Sequence, residues 1–105
     1  MTTFDAREAG FEAKFAHDAD AEFRLHARRD KLVGLWAADK LGLSGKAASD
    51  YAAALVMSDV AAAGDATIVA QLTADLAPHG VDTAAVHAAL AEQLAEAARQ
   101  LSAGS

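Results

Sequence analysis

A single proline, Pro78, in 105 residues is the feature that most limits what this chain can become. Proline breaks helices more strongly than any other residue, so a chain almost free of it can run as helices divided by weaker signals. Glycines at 34, 42, 45, 64 and 80 supply several of those signals. Hydrophobic residues make up 53% of the chain, much of it alanine, while aromatics are only 6%. Small side chains with high helix propensity favour close-packed helices. No stretch carries a strand pattern and no repeat suggests a solenoid. The expected fold is all-α, a four-helix bundle preceded by a separate N-terminal segment.

Periodicity places the helices. Leu25, Leu32 and Trp36 recur at i, i+7 and i+11, which predicts a first helix over 19–41 with Gly42 as its stop. Gly34 inside it costs about 1 kcal/mol against alanine unless a neighbouring helix packs close there. Ser44 is a suitable N-cap for a second helix over 45–63, with Tyr51, Leu55, Val56, Val60 and Ala62 on its apolar face and Gly64 after it. Asp65 can cap a third over 66–77, where Ile68, Leu72 and Leu76 repeat every four residues. Leu76-Ala77-Pro78-His79-Gly80 is a stop, because proline disfavours helix at the residue before it. Asp82 or Thr83 opens a fourth over 83–101, with Val86, Leu90, Leu94 and Leu101 as its stripe and Ala97 and Ala98 near the seam. Short connections favour antiparallel neighbours, giving one bundle over 19–105.

Residues 1–18 read differently. Phe4, Phe11 and Phe15 fall at i, i+7 and i+11, within about 40° of one another at roughly 100° per residue. Arg7, Glu8, Glu12, Lys14 and Asp18 occupy other faces. Phe23 lies about 80° out of phase with Phe15, so the leader stripe and the bundle core are separate surfaces. Two readings remain open from pattern alone. The rings close the base of the bundle, or the segment is mobile alone and folds as a helix into a partner's groove. Gly10 and the short length make an isolated helix marginal.

Composition and spacing narrow the chemistry. The formal net charge is −6, which repels nucleic acid phosphates, so no nucleic acid partner is expected. There is no cysteine, hence no disulfide framework or thiolate metal site. The start MTTFDAREAG lacks a basic and then apolar leader, and no apolar run is long enough to span a bilayer. The expected location is cytoplasmic, without membrane insertion. Gly45-Lys46 resembles the end of a phosphate loop, but Lys40 stands where the first glycine belongs and Ala47 where a hydroxyl belongs. His17, His26, His79 and His87 are never three or four residues apart, and Asp18, Asp20 and Glu22 lack the rest of a calcium loop. No metal, cofactor or catalytic residue is expected, and no enzymatic activity. Trp36 and Tyr51 are read as core residues. Arg24, Arg28, Arg29 and Lys31 share one side of the first helix. They are read as a solvated face pairing with Glu22 and Asp30. Arg24, Arg28 and Arg29 are also the candidate residues for weak binding of phosphate or a nucleotide such as ATP or ADP.

The stretches FDAREAGFEAKFAHDADAEFR (4–24) and ARRDKLVGLWAADKLG (27–42), with the helices that follow in order, resemble the zeta subunit family of alpha-proteobacterial F1FO-ATP synthase, an ATPase inhibitor. The resemblance covers essentially the whole chain. It implies a four-helix bundle whose N-terminal segment is mobile in the free protein. That segment inserts as a helix between alpha and beta subunits of F1 and blocks rotation in the hydrolysis direction. The implied partner is the F1 sector, through its alpha, beta and gamma subunits, which places the protein peripherally at the inner membrane. Carried onto this sequence, the contact residues are Phe4, Arg7, Glu8, Phe11, Glu12, Lys14, Phe15, His17 and Asp18. Gly10 weakens such an inserted helix by roughly 1 kcal/mol. A small helical module that binds a nucleotide or phosphate ligand is the alternative function.

Overall fold

The computed structural model of the chain describes residues 19–62 and 64–103. Four α-helices make up nearly all of it, and no strand is present among the described residues: α1 (Ala19–Lys40), α2 (Gly45–Val60), α3 (Ala66–Leu76) and α4 (Thr83–Ala103), with a short 3₁₀ turn at Ala77–His79. α1 packs mainly against α2 and α4, and α3 closes the bundle from the side.

The connections follow from glycine chemistry. After α1 the chain takes a left-handed conformation at Gly42 (φ +79°). The Gly42 amide donates to the Asp39 carbonyl at 3.1 Å and the Leu43 amide to the Ala38 carbonyl at 2.8 Å, which is the Schellman pattern. The 3₁₀ turn ends the same way at Gly80, where Gly80 donates to Ala77 and Val81 to Leu76. α4 opens on Asp82, whose carboxylate accepts the Ala85 amide at 2.9 Å.

Ser44 and Asp65 hold the N-cap positions of α2 and α3, but neither side chain caps its helix. The Asp65 carboxylate is committed to another partner, described below. α2 stops at Val60 rather than 63, because the Ala62 amide turns back to the Asp59 carbonyl at 3.1 Å and Gly64 follows at φ +75°.

The core is built from Val33 and Ala37 of α1, Leu55 of α2, Ile68, Leu72 and Leu76 of α3, and Val86, Ala89 and Leu90 of α4. The α3 stripe is the one read from the sequence. On α1 the buried arc is different: Val33, Gly34, Ala37 and Ala38 face inward, while Leu25, Leu32 and Trp36 are half-buried on its flanks. Gly34 gives the reason. A Cβ built there would lie 2.7 Å from the Ala52 Cα, so α1 and α2 cross with their backbones nearly touching. Only small side chains fit at that crossing, and the larger ones cover the seams beside it. Trp36 packs against the core from the edge, with the Lys40 ammonium 5.8 Å from its ring centre.

On α2 the buried residues are Ala52 and Leu55, whereas Val60 is 48% and Met57 67% exposed. On α4, Ala97 is buried and Ala98 is exposed. Tyr51 packs against the core and donates its hydroxyl to Asp75 at 2.8 Å, tying α2 to α3. Burial first, and then the Asp75 carboxylate, raises the Tyr51 pKa.

Candidate functional site

Arg29 and Asp30 sit on the same arc of α1 as Val33 and Ala37, one turn earlier. That phase carries two charged side chains into the bundle, where Arg29 is 3% exposed and Asp30 1%. The solvated face expected for this stretch is therefore absent at both positions. Buried charges must be paired, and the pairing comes from three elements. Arg29 donates from Nε to Asp30 Oδ1 at 2.9 Å, and its Nη1 and Nη2 form a two-pronged contact with Asp65 at 3.1 and 3.0 Å. Asp59, at the end of α2, brings its Oδ2 to 3.5 Å from the same Nη2. One guanidinium thus holds α1, the last turn of α2 and the residue ahead of α3 together.

The carboxylates respond differently. The hydrogen bond from Arg29 holds the Asp65 carboxyl below its ordinary range. Asp30 goes the other way: burial first, and then the Asp59 carboxylate beside it, pushes it up to about 7 against the pull of Arg29. Its Oδ2 has no hydrogen-bond partner.

A cleft of about 330 Å³ opens at this corner, lined by Glu22, Phe23, His26 and Ala27 from α1, Asp30 beneath them, and Asp59, Val60, Ala62, Gly64 and Asp65 opposite. Phe23 is 55% exposed at its edge and belongs to α1 without entering the core. The other arginines of the sequence-derived cluster lead elsewhere. Arg28 reaches α4 and donates to Gln100 at 2.9 Å, and Arg24 is exposed. Arg24, Arg28 and Arg29 do not converge on one point. Among the described residues no group of three or more His, Asp or Glu side chains could hold a metal ion, and no helix is long and apolar enough to cross a membrane.

A family model described as ATPase inhibitor subunit zeta matches residues 1–100 of the chain, and so takes in both the leader and the bundle. The chain belongs to this family. A zeta subunit is by that description a regulator of an ATPase rather than a catalyst, associated with the ATP synthase. A solved structure, determined by solution NMR, is 37% identical to this zeta chain, covers 80% of it and 98% of its own length, and superposes with a TM-score of 0.72. No curated protein matches the chain.

The leader residues Phe4, Arg7, Glu8, Phe11, Glu12, Lys14, Phe15, His17 and Asp18 lie outside the described residues. Sequence reasoning paired the basic cluster with Asp30 but set it on a solvated face, and it missed Asp59 and Asp65 around Arg29. The signal for a buried Arg29 and Asp30 was their phase with Val33 and Ala37, which the longer Leu25–Leu32–Trp36 stripe masked.

Proposed function

We propose that this zeta chain inhibits ATP hydrolysis by the F1 sector of its ATP synthase by inserting residues 1–18 as a helix at an alpha/beta interface. The inserted segment blocks rotation in the hydrolysis direction. Phe4, Phe11 and Phe15 anchor it, since buried aromatic side chains dominate such interfaces. Arg7 and Lys14, set against Glu8, Glu12 and Asp18, fix its register, with His17 at the junction. The protein works at the inner membrane through F1, on its cytoplasmic side.

The observation that carries this reading is that the family match begins at residue 1 and so takes in the span that holds the Phe stripe. The bundle supports it from the other side. Among the described residues its core is built from aliphatic and alanine side chains of four helices, and Phe23, the fourth phenylalanine, stays at the surface.

ATP hydrolysis by cognate F1 is measured with the full chain, with residues 1–18 removed, and with Phe11→Ala. The truncated chain is expected to keep its helical circular dichroism and lose inhibition, and Phe11→Ala to weaken it at least tenfold. Full inhibition by the truncated chain overturns the proposal.

A further inference from the structure

Among the described residues one buried side-chain oxygen has no hydrogen-bond partner, and its residue lines the cleft. Asp30 is 1% exposed, its Oδ1 is taken by Arg29, and its Oδ2 has no hydrogen-bond partner. A buried acceptor left unmade is costly, the more so when charged. Asp59 cannot relieve it as a carboxylate, since it donates nothing. Both carboxylates share Arg29 Nη2, Asp30 at 2.8 Å and Asp59 at 3.5 Å. Among the described residues Arg29 forms ion pairs with all three of Asp30, Asp59 and Asp65, and Glu22 adds a fourth carboxylate to the lining. The cleft carries more negative charge than its own residues neutralise.

We propose that this cleft binds the side chain of a lysine presented by a partner protein, its ammonium against Asp59 and Asp30 and its alkyl stem along Phe23 and Val60. A metal ion is disfavoured because, among the described residues, no three of these His, Asp or Glu side chains are arranged so that they could hold one. An ammonium suits the site better than a second guanidinium. It is a compact charge, whereas the planar two-pronged contact with Asp65 is already made by Arg29. A protein source is favoured over a free amine because the apolar surface runs past the cleft. Val60, 48% exposed, lines the cleft with Phe23 at 55%, and Met57, one turn earlier on α2, is 67% exposed. The chain's own leader is the poorer occupant, because residues 1–18 set Asp5, Glu8, Glu12 and Asp18 against Arg7 and Lys14. The proposal is independent of leader insertion at F1.

Binding is linked to pH. The lysine competes with the proton that Asp30 holds up to about 7. The charged and titratable groups around that proton are Glu22, His26 and Arg29 on α1, Asp59 on α2 and Asp65 ahead of α3, with His87 of α4 acting on Asp65. A carboxyl titrating at about 7 goes from mostly protonated at pH 6 to mostly ionised at pH 8, so affinity rises by about tenfold across that range.

The test is a titration of the full ¹⁵N-labelled chain with Nα-acetyl-lysine methylamide at pH 6 and pH 8, followed by NMR. Saturable shifts at the amides of Phe23, His26, Val60 and Asp65, tighter at pH 8 and weakened at least fivefold by both Asp30→Asn and Phe23→Ala, support the proposal. Shifts that follow pH alone, with no saturation by the lysine probe, overturn it, since a shared proton then suffices for the acid pair. Equal or tighter binding of magnesium chloride overturns the ammonium assignment, and tighter binding of 1,4-diaminobutane overturns the protein source. Shifts at Phe23 and Val60 caused by Lys14→Gln in the absence of any probe assign the cleft to the leader and also overturn it.

Discussion

Gly34→Ala places a methyl group where α1 and α2 nearly touch. The new Cβ would lie 2.7 Å from the Ala52 Cα and 2.9 Å from its Cβ, with Leu55 Cδ2 at 3.5 Å. Carbon atoms rest about 3.5–4.0 Å apart, so the two helices must separate by about 1 Å. The nearest obstruction is backbone and cannot rotate away. Overpacking of this kind costs about 1–3 kcal/mol, and the rigid obstruction puts it near the top of that range. Alanine returns about 1 kcal/mol through its higher helix propensity. The net loss is then about 1–2 kcal/mol, and for a domain of this size the midpoint of thermal unfolding falls by about 5–15 °C. Urea unfolding followed by circular dichroism measures it. Adding Ala52→Gly behind Gly34→Ala removes the obstructing methyl group but leaves the backbone of α2 in the way, so it restores only part of the loss after allowance for its own propensity cost. A Gly34→Ala chain as stable as the original, or more stable, refutes the close approach as the reason for glycine at this position.

Leu72→Ala empties the centre of α3 in the core and is expected to cost about 2–5 kcal/mol in urea unfolding. Asp82→Ala removes the hydrogen bond to the Ala85 amide and costs about 1 kcal/mol, while Asp82→Asn retains most of it. Because folding raises the Asp30 carboxyl from 3.8 to about 7, the folded state binds the extra proton between those values, so this group's contribution to stability is present at low pH and is lost as pH rises through about 7. The full effect is at most about 4 kcal/mol, since each unit is worth about 1.4 kcal/mol. Asp30→Asn is expected to flatten the pH dependence of the unfolding midpoint between pH 5 and 8, and an unchanged slope refutes the assignment to Asp30.

The fold was legible where one signal dominated. Ile68, Leu72 and Leu76 repeat every four residues with nothing competing, and all three are buried. Gly34 also announced its role, because a glycine within a long helix requires a reason and a close neighbour is the usual one. α1 was harder. Its large apolar residues, Leu25, Leu32 and Trp36, form a convincing stripe, yet the helix buries the smaller Val33, Gly34, Ala37 and Ala38. Periodicity weights residues by hydrophobicity, whereas a tight crossing selects them by size. The charged corner was hidden for a related reason. Arg29 and Asp30 look like surface residues until the arc they share with Val33 is known to face inward. Asp59 and Asp65 lie about 30 residues or more away in sequence, and only the tertiary fold joins them to Arg29. Asp65 also shows how a local rule yields to a distant one. It sits where a helix cap belongs, but the guanidinium competes for its carboxylate more strongly than the free amides of α3 do.

That diversion bears on the order in which the protein comes apart. α3 has 11 residues, too few to persist alone in water, and no side chain caps its first turn. What fixes its start is a tether to Arg29, a residue of a different helix 36 positions earlier. The first turn of α3 therefore cannot outlast the docking of α1. In native-state hydrogen exchange its amides should open together with the Arg29 corner, as one small cooperative unit that releases well before the α1–α2 crossing at Gly34.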